Sequence, residues 1–137
     1  MPDLARHRAY LEDAWRQAQA APLSRRKVML VAALIDAFVD HQFDADGAAD
    51  DILEYRAARA ASSPALALIM NLCSQRGVQL VLDTMQVPLG EYDRLGIEDF
   101  MVSLYNDHSV QRLRLALPDG GRLDMLETLK AAIAALQ

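Results

Sequence analysis

Two dipeptides carry most of the residue types that could do chemistry: Asp40-His41 and Asp107-His108. If the two places converge in space, two imidazoles and two carboxylates could bind a divalent metal and support a metal-assisted hydrolase. His41 and His108 would be the metal ligands of such a site, and they would have to lie within about 5 Å of each other. The spacing argues against one ion being shared within either pair, because adjacent helical residues point about 100° apart. No HExxH pair is present. Both pairs fall at expected helix ends, where a protonated histidine meets the negative end of the helix dipole and Asp107 starts the next turn. Helix ends are the reading these pairs favour, and no cofactor is expected, with a divalent metal left open.

The other constellations are weaker. Asp36 and Asp40 lie one turn apart on a very apolar helix. Buried together they would resemble an acid–base pair. The expectation is that they mark its solvent edge, because lone charges are almost never fully buried. FDADGAADD, residues 43–51, resembles a calcium loop, but the register fails. With Gly47 as the turn glycine, the twelfth position is Leu53 and the glutamate comes one residue late, at Glu54. An acidic helix start, capped by Asp46, explains the segment better. Ser74 and Ser103 lack the glycines of a nucleophile elbow, and P-loop, dinucleotide and CxxC motifs are absent.

Two basic sets stand out: Arg25, Arg26 and Lys27, and Arg112, Arg114 and Arg122. The second set could hold a phosphate-bearing or acidic partner, or protect an exposed strand. Nucleic acid is disfavoured, since the net charge is -5, the pI about 5.0 and aromatics only 6%. Cys73 is the single cysteine, so no internal disulfide can form, and a reducing cytoplasm is the expected compartment. The basic-then-apolar run at 25–39 is broken by Asp36, and its unbroken apolar part is far shorter than the roughly 20 residues of a membrane helix.

The elements that must position these residues are mostly helices. The 137 residues, 53% hydrophobic and rich in Ala and Leu, fit one domain over 1–137. Helix one is expected from Asp3 to about Ala20, with a thin apolar stripe that Arg8 interrupts; residues 1–22 could pack against a partner. Helix two starts at Ser24 and runs to about His41, and its nearly all-round apolar surface belongs in a bundle centre. Helix three covers about 48–61. Ser63-Pro64 starts helix four, which Gly77 ends. Residues 78–86 are ambiguous: three valines and a threonine in 78–87 suit a strand, but Val78, Val81, Leu82 and Met85 suit a helix, and a helix ending near Gln86 is expected. A further helix spans about Ile97–Asn106.

Leu113, Leu115 and Leu117 alternate with Arg112, Arg114 and Ala116, a half-buried strand. A loop of Asp119-Gly120-Gly121 would pair Leu117 with Leu123, and Asp124–Glu127 reads as a capping box for the last helix. The fold expected is therefore mainly α, a bundle of six or seven helices with a small C-terminal β-hairpin. Three functions compete. The first is a non-enzymatic interaction or regulatory module that self-associates as a homodimer through helix stripes such as those of the first or last helix, with no membrane role. The second is the metal-assisted hydrolase. The third is an apolar-ligand binder with a pocket among Met70, Met85, Phe100, Met101 and Tyr105.

Overall fold

The computed structural model describes residues 3–47, 51–86 and 109–137. Helix α1 spans Leu4–Ala20, α2 Arg25–Asp46, α3 Ile52–Ser62, α4 Pro64–Ser74 and α5 Met125–Ala135. Strands β1 (Gln79–Gln86), β2 (Ser109–Ala116) and β3 (Arg122–Asp124) form an antiparallel sheet in the order β1-β2-β3. The class is mainly helical, as the composition implies, with five helices among the described residues rather than six or seven. The helix expected over 97–106 lies outside them.

Each described helix starts where a short polar side chain can take an orphan N–H. Asp3 Oδ1 accepts from Arg6 N at 3.0 Å, and Ser24 Oγ from Lys27 N at 3.2 Å. Ser63 Oγ accepts from Leu66 N at 3.2 Å, with Pro64 in the first turn, and Asp124 Oδ2 from Glu127 N at 2.9 Å. Helix α3 departs from expectation. Its cap is Asp51, whose Oδ1 accepts from Leu53 N at 2.8 Å, and Asp46 instead belongs to the last turn of α2. Helix α2 continues five residues past His41, to Asp46, and is capped by Gly47 at φ +59. Asp40-His41 is therefore inside a helix, more than a turn from its end.

Helix α2 touches all four other helices, and α4 packs on α2, α3 and α5. Val28, Val31, Ala32, Ile35, Phe38 and Val39 of α2 are buried, as are Leu66, Ile69 and Leu72 of α4. Leu11, Ala14 and Ala18 bury the stripe of α1 against α2. The stripe of the last helix, Met125, Leu129 and Ala132, is core. The sheet packs on α5 through β2 and β3, with Leu113 and Leu115 pointing inward.

Residues 79–86 are a strand, which corrects the helix expected there. All eight pair with β2, Gln79 with Ala116 through Gln86 with Ser109. The pairing sets Leu80 against Leu115 and Leu82 against Leu113, so one face of both strands is leucine. Helical spacing in the same residues could not compete with eight ladder pairs supplied from elsewhere in the chain. The hairpin loop has three residues, as expected, but it is Pro118-Asp119-Gly120. Leu117 N donates to Gly121 O at 2.9 Å, and Gly120 takes φ +91. The register is thus Leu115 with Leu123, displaced by two from the expected one. A shift of two keeps each side chain on its face, so leucine still meets leucine.

Gln75, at φ 57, ends α4 in the left-handed conformation expected of Gly77. Gly77 serves the next step. It lies at φ +116, and a Cβ there would come within 3.0 Å of Pro118 Cγ in the hairpin loop. Gly77→Ala is expected to cost about 1–2 kcal/mol, from the left-handed backbone and the contact together. A urea unfolding curve checks it, with Gly120→Ala as the comparison that carries backbone strain but has open space around its Cβ.

Candidate functional site

Asp40 and His41 are both engaged within the chain. Helix α3 lies across α2, and Arg56 reaches between the two aspartates. Arg56 Nη2 donates to Asp36 Oδ1, while Nη1 donates to Asp40 Oδ1 at 2.9 Å and to the Asp36 carbonyl at 3.3 Å. The Arg56 side chain is 23% exposed. Burial alone would disfavour its charge, but hydrogen bonds to Asp36 and Asp40, and their negative charge, outweigh that and hold its pKa above the ordinary arginine value. Asp36 and Asp40 therefore join α2 to α3 through Arg56 while staying partly exposed, as residues at a solvent edge do.

His41 stacks on His7 of α1, with ring centroids 3.6 Å apart and planes 8° from parallel. Tyr10 also meets His7, edge-on, with ring centroids 6.2 Å apart. The histidine thus ties α1 to α2. Asp107 and His108, the other half of the conjectured metal site, lie outside the described residues. Among the described residues, no three of His, Cys, Asp and Glu are grouped so as to hold a metal ion. Of the conjectured apolar pocket, Met70 is half-buried on α4; Phe100, Met101 and Tyr105 lie outside the described residues.

Beside His41, at Gln42, polar side chains from three helices converge on the C-terminal end of α5. Arg8 Nη2 donates to Leu136 O at 3.3 Å, Gln42 Nε2 to the same oxygen at 2.8 Å, and Arg59 Nη2 to Ala135 O at 3.1 Å and Gln42 Oε1 at 3.1 Å. Those carbonyls are the orphan acceptors at the negative end of the α5 dipole, which explains why two are arginines. The Arg8 guanidinium also lies 4.8 Å over the ring of Phe38. In the sequence Arg8 is legible only as an interruption of an apolar stripe, while Arg56 and Arg59 carry no local mark at all. Tyr55 donates to Asp46 Oδ2 at 3.2 Å. Its pKa is raised by burial first, then by the hydrogen bond to the Asp46 carboxylate and that charge, with Arg59 opposing.

Cys73 sits on α4, against the core and close enough to Asp36 and Arg56 to feel their charges. Burial pushes its thiol up to about 11; the Asp36 charge adds to the rise and Arg56 opposes it. A nucleophilic cysteine needs the opposite shift. Its reaction with a disulfide reagent near pH 8 is expected to be about 100-fold slower than that of a free thiol, following the lost thiolate fraction. The sign extends to stability. Unfolded chains ionise this thiol first, so its contribution is intact below about pH 9 and is lost as the pH climbs toward 11. Stopped-flow labelling against pH checks both.

The hairpin arginines form the third candidate. Asp83 of β1 sits among them, with Oδ2 3.4 Å from Arg114 Nη1 and Oδ1 3.5 Å from Arg122 Nη1. Arg114 Nη2 also donates to the Arg122 carbonyl at 3.0 Å, and Arg112 Nη1 to Gln111 O at 2.8 Å. Asp83 is the register partner of Arg112. The Asp83 carboxylate thus already meets Arg114 and Arg122. No helix among the described residues is long and apolar enough to cross a membrane. No protein-family model matches this chain, and neither a curated protein nor a solved structure shows significant similarity to it.

Proposed function

We propose that this chain is a non-enzymatic interaction module that acts as a homodimer, paired through the α3–α4 hairpin. The observation that carries the reading is the state of α3. This helix of 11 residues contributes no buried residue. It is tied to α2 by polar bonds from Arg56, and to the end of α5 by Arg59. Its outward face carries Leu53, 73% exposed, beside a groove of about 330 Å³ whose lining includes Ala57, Ala60, Ala67 and Met70. Small side chains let a second helix approach closely, and a protruding leucine next to such a groove suits a two-fold contact in which each copy inserts into the other. The engagement of Asp40 by Arg56 and of His41 by His7 supports the non-enzymatic side of the reading.

The test is sedimentation of the full chain between about 1 and 100 μM. A dimer is expected, and Leu53→Asp combined with Ala60→Glu should give a monomer with an unchanged circular dichroism spectrum. A wild-type monomer at the upper concentration, or a variant that still dimerises, would overturn the reading.

A further inference from the structure

Among the described residues strand β1 is an edge of the sheet: it pairs with β2 on one side and with no strand on the other. Edges of this length are usually blunted by proline, lysine or a bulge. Gln79–Gln86 has neither proline nor lysine, and its ladder with β2 runs through all eight residues without a bulge. One outward group has a substitute partner: Arg25 Nη1 donates to the Leu80 carbonyl at 3.3 Å. Because the N–H and C=O of one residue point to the same edge and alternate along a strand, this bond identifies Leu80, Leu82 and Thr84 as the residues whose backbone groups point away from β2. Leu82 is 42% exposed and Thr84 is exposed.

A groove of about 610 Å³ adjoins the start of this edge. Its lining includes Met29, Leu72 and Val78, with Arg25 and Gln75 as polar members. Met29 and Leu80 are half-buried and supply its apolar part, while Arg25, Gln75 and Gln79 make the rest polar. The charge beside it is the reverse of the chain's. Arg25, Arg26 and Lys27 are all exposed in the first turn of α2, which holds no acidic residue, and the positive end of the helix dipole adds to them. Neither Arg26 nor Lys27 has an ion-pair partner among the described residues.

We propose that the open edge of β1 and the groove beside it bind an extended peptide carrying a carboxylate, which joins the sheet as a further strand. Main-chain bonds to Leu80, Leu82 and Thr84 supply the pairing, and alternate side chains of the peptide reach the groove beside Met29 and Leu80. The peptide's own N–H takes over the Leu80 carbonyl, which frees Arg25 to meet the carboxylate with Arg26 and Lys27. This surface is distinct from the α3–α4 face, so the inference stands or falls independently of the homodimer.

The experiment uses the full ¹⁵N-labelled chain and two capped heptapeptides, EVTVTVE and KVTVTVK, each at up to about 1 mM, a concentration suited to weak peptide binding. The acidic peptide is expected to shift the amides of Leu80, Leu82 and Thr84 more than those of Val81 and Asp83. It should bind at least about tenfold more tightly than the basic one, with a preference that reverses in the Arg25→Glu, Arg26→Glu, Lys27→Glu variant. Leu82→Pro removes an outward N–H without touching the β2 ladder and should abolish binding. If that variant does not fold, the charge-reversed one decides, since its substitutions are all exposed. Absence of edge shifts, equal binding of both peptides, or edge amides that respond to protein concentration without peptide (a second copy on the edge) would each overturn the proposal.

Discussion

Leu129→Asp is expected to abolish cooperative folding. Leu129 is fully buried on α5, in the cluster shared by α2, α4 and the sheet. Losing the leucine forfeits about 2–3 kcal/mol of apolar burial, and placing a carboxylate there without a partner adds several more. The sum, about 5 kcal/mol or above, is comparable to the whole stability of a domain this size. Lys130→Asp, one residue on and exposed, is the control and should move stability by no more than about 0.5 kcal/mol. Circular dichroism and urea unfolding of the two variants decide the matter. A folded, soluble Leu129→Asp monomer would mean that the α5 stripe is an association surface and not core.

Arg56→Met is expected to cost about 2 kcal/mol, and to do so through α3. The substitution keeps most of the side-chain volume but leaves Asp36 and Asp40 facing each other without a cation. Breaking a fully buried pair costs about 3–5 kcal/mol; here the Asp40 side chain is 46% exposed, and water screens part of the loss. Since α3 has no buried residue of its own, it depends on these bonds more than any other helix does. Hydrogen exchange should therefore show the α3 amides losing protection first, with α2 and α5 little changed. A thermodynamic cycle with Asp36→Asn and Asp40→Asn isolates the coupling, expected near 1 kcal/mol. Loss of less than about 0.5 kcal/mol, with α3 exchange unaltered, would show that α3 is held by packing instead.

Both predictions rest on contacts of different origin, and the difference separates what local sequence reveals from what it cannot. The starts of α1, α2, α4 and α5 are written in Asp3, Ser24, Ser63-Pro64 and Asp124, because a cap is a bond between residues three apart. Burial of Val31, Ile35 and Phe38 on α2, and of Leu129 on α5, follows from apolar spacing for the same reason: the period of a helix is local. Where two local signals compete, that logic fails. Asp46 and Asp51 are both competent caps, and Gly47 between them, at φ +59, assigns one to the end of α2 and the other to the start of α3.

Only the tertiary structure decided the rest. Residues 79–86 satisfy helix and strand periods alike, and β2, some thirty positions away, selects the strand by pairing with all of it. The strand also decides the surroundings of Asp83, pairing it with Arg112 and bringing its carboxylate to Arg114 and Arg122. Arg56 with Asp36 and Asp40, Arg59 with the end of α5, and the His7–His41 stack join residues 16 to 76 positions apart. A charged or aromatic side chain looks the same in sequence whether it faces water or another helix, and which of the two it meets is set by how helices cross. That is why the contacts of Asp40 with Arg56 and of His41 with His7 are invisible in one dimension and plain in three.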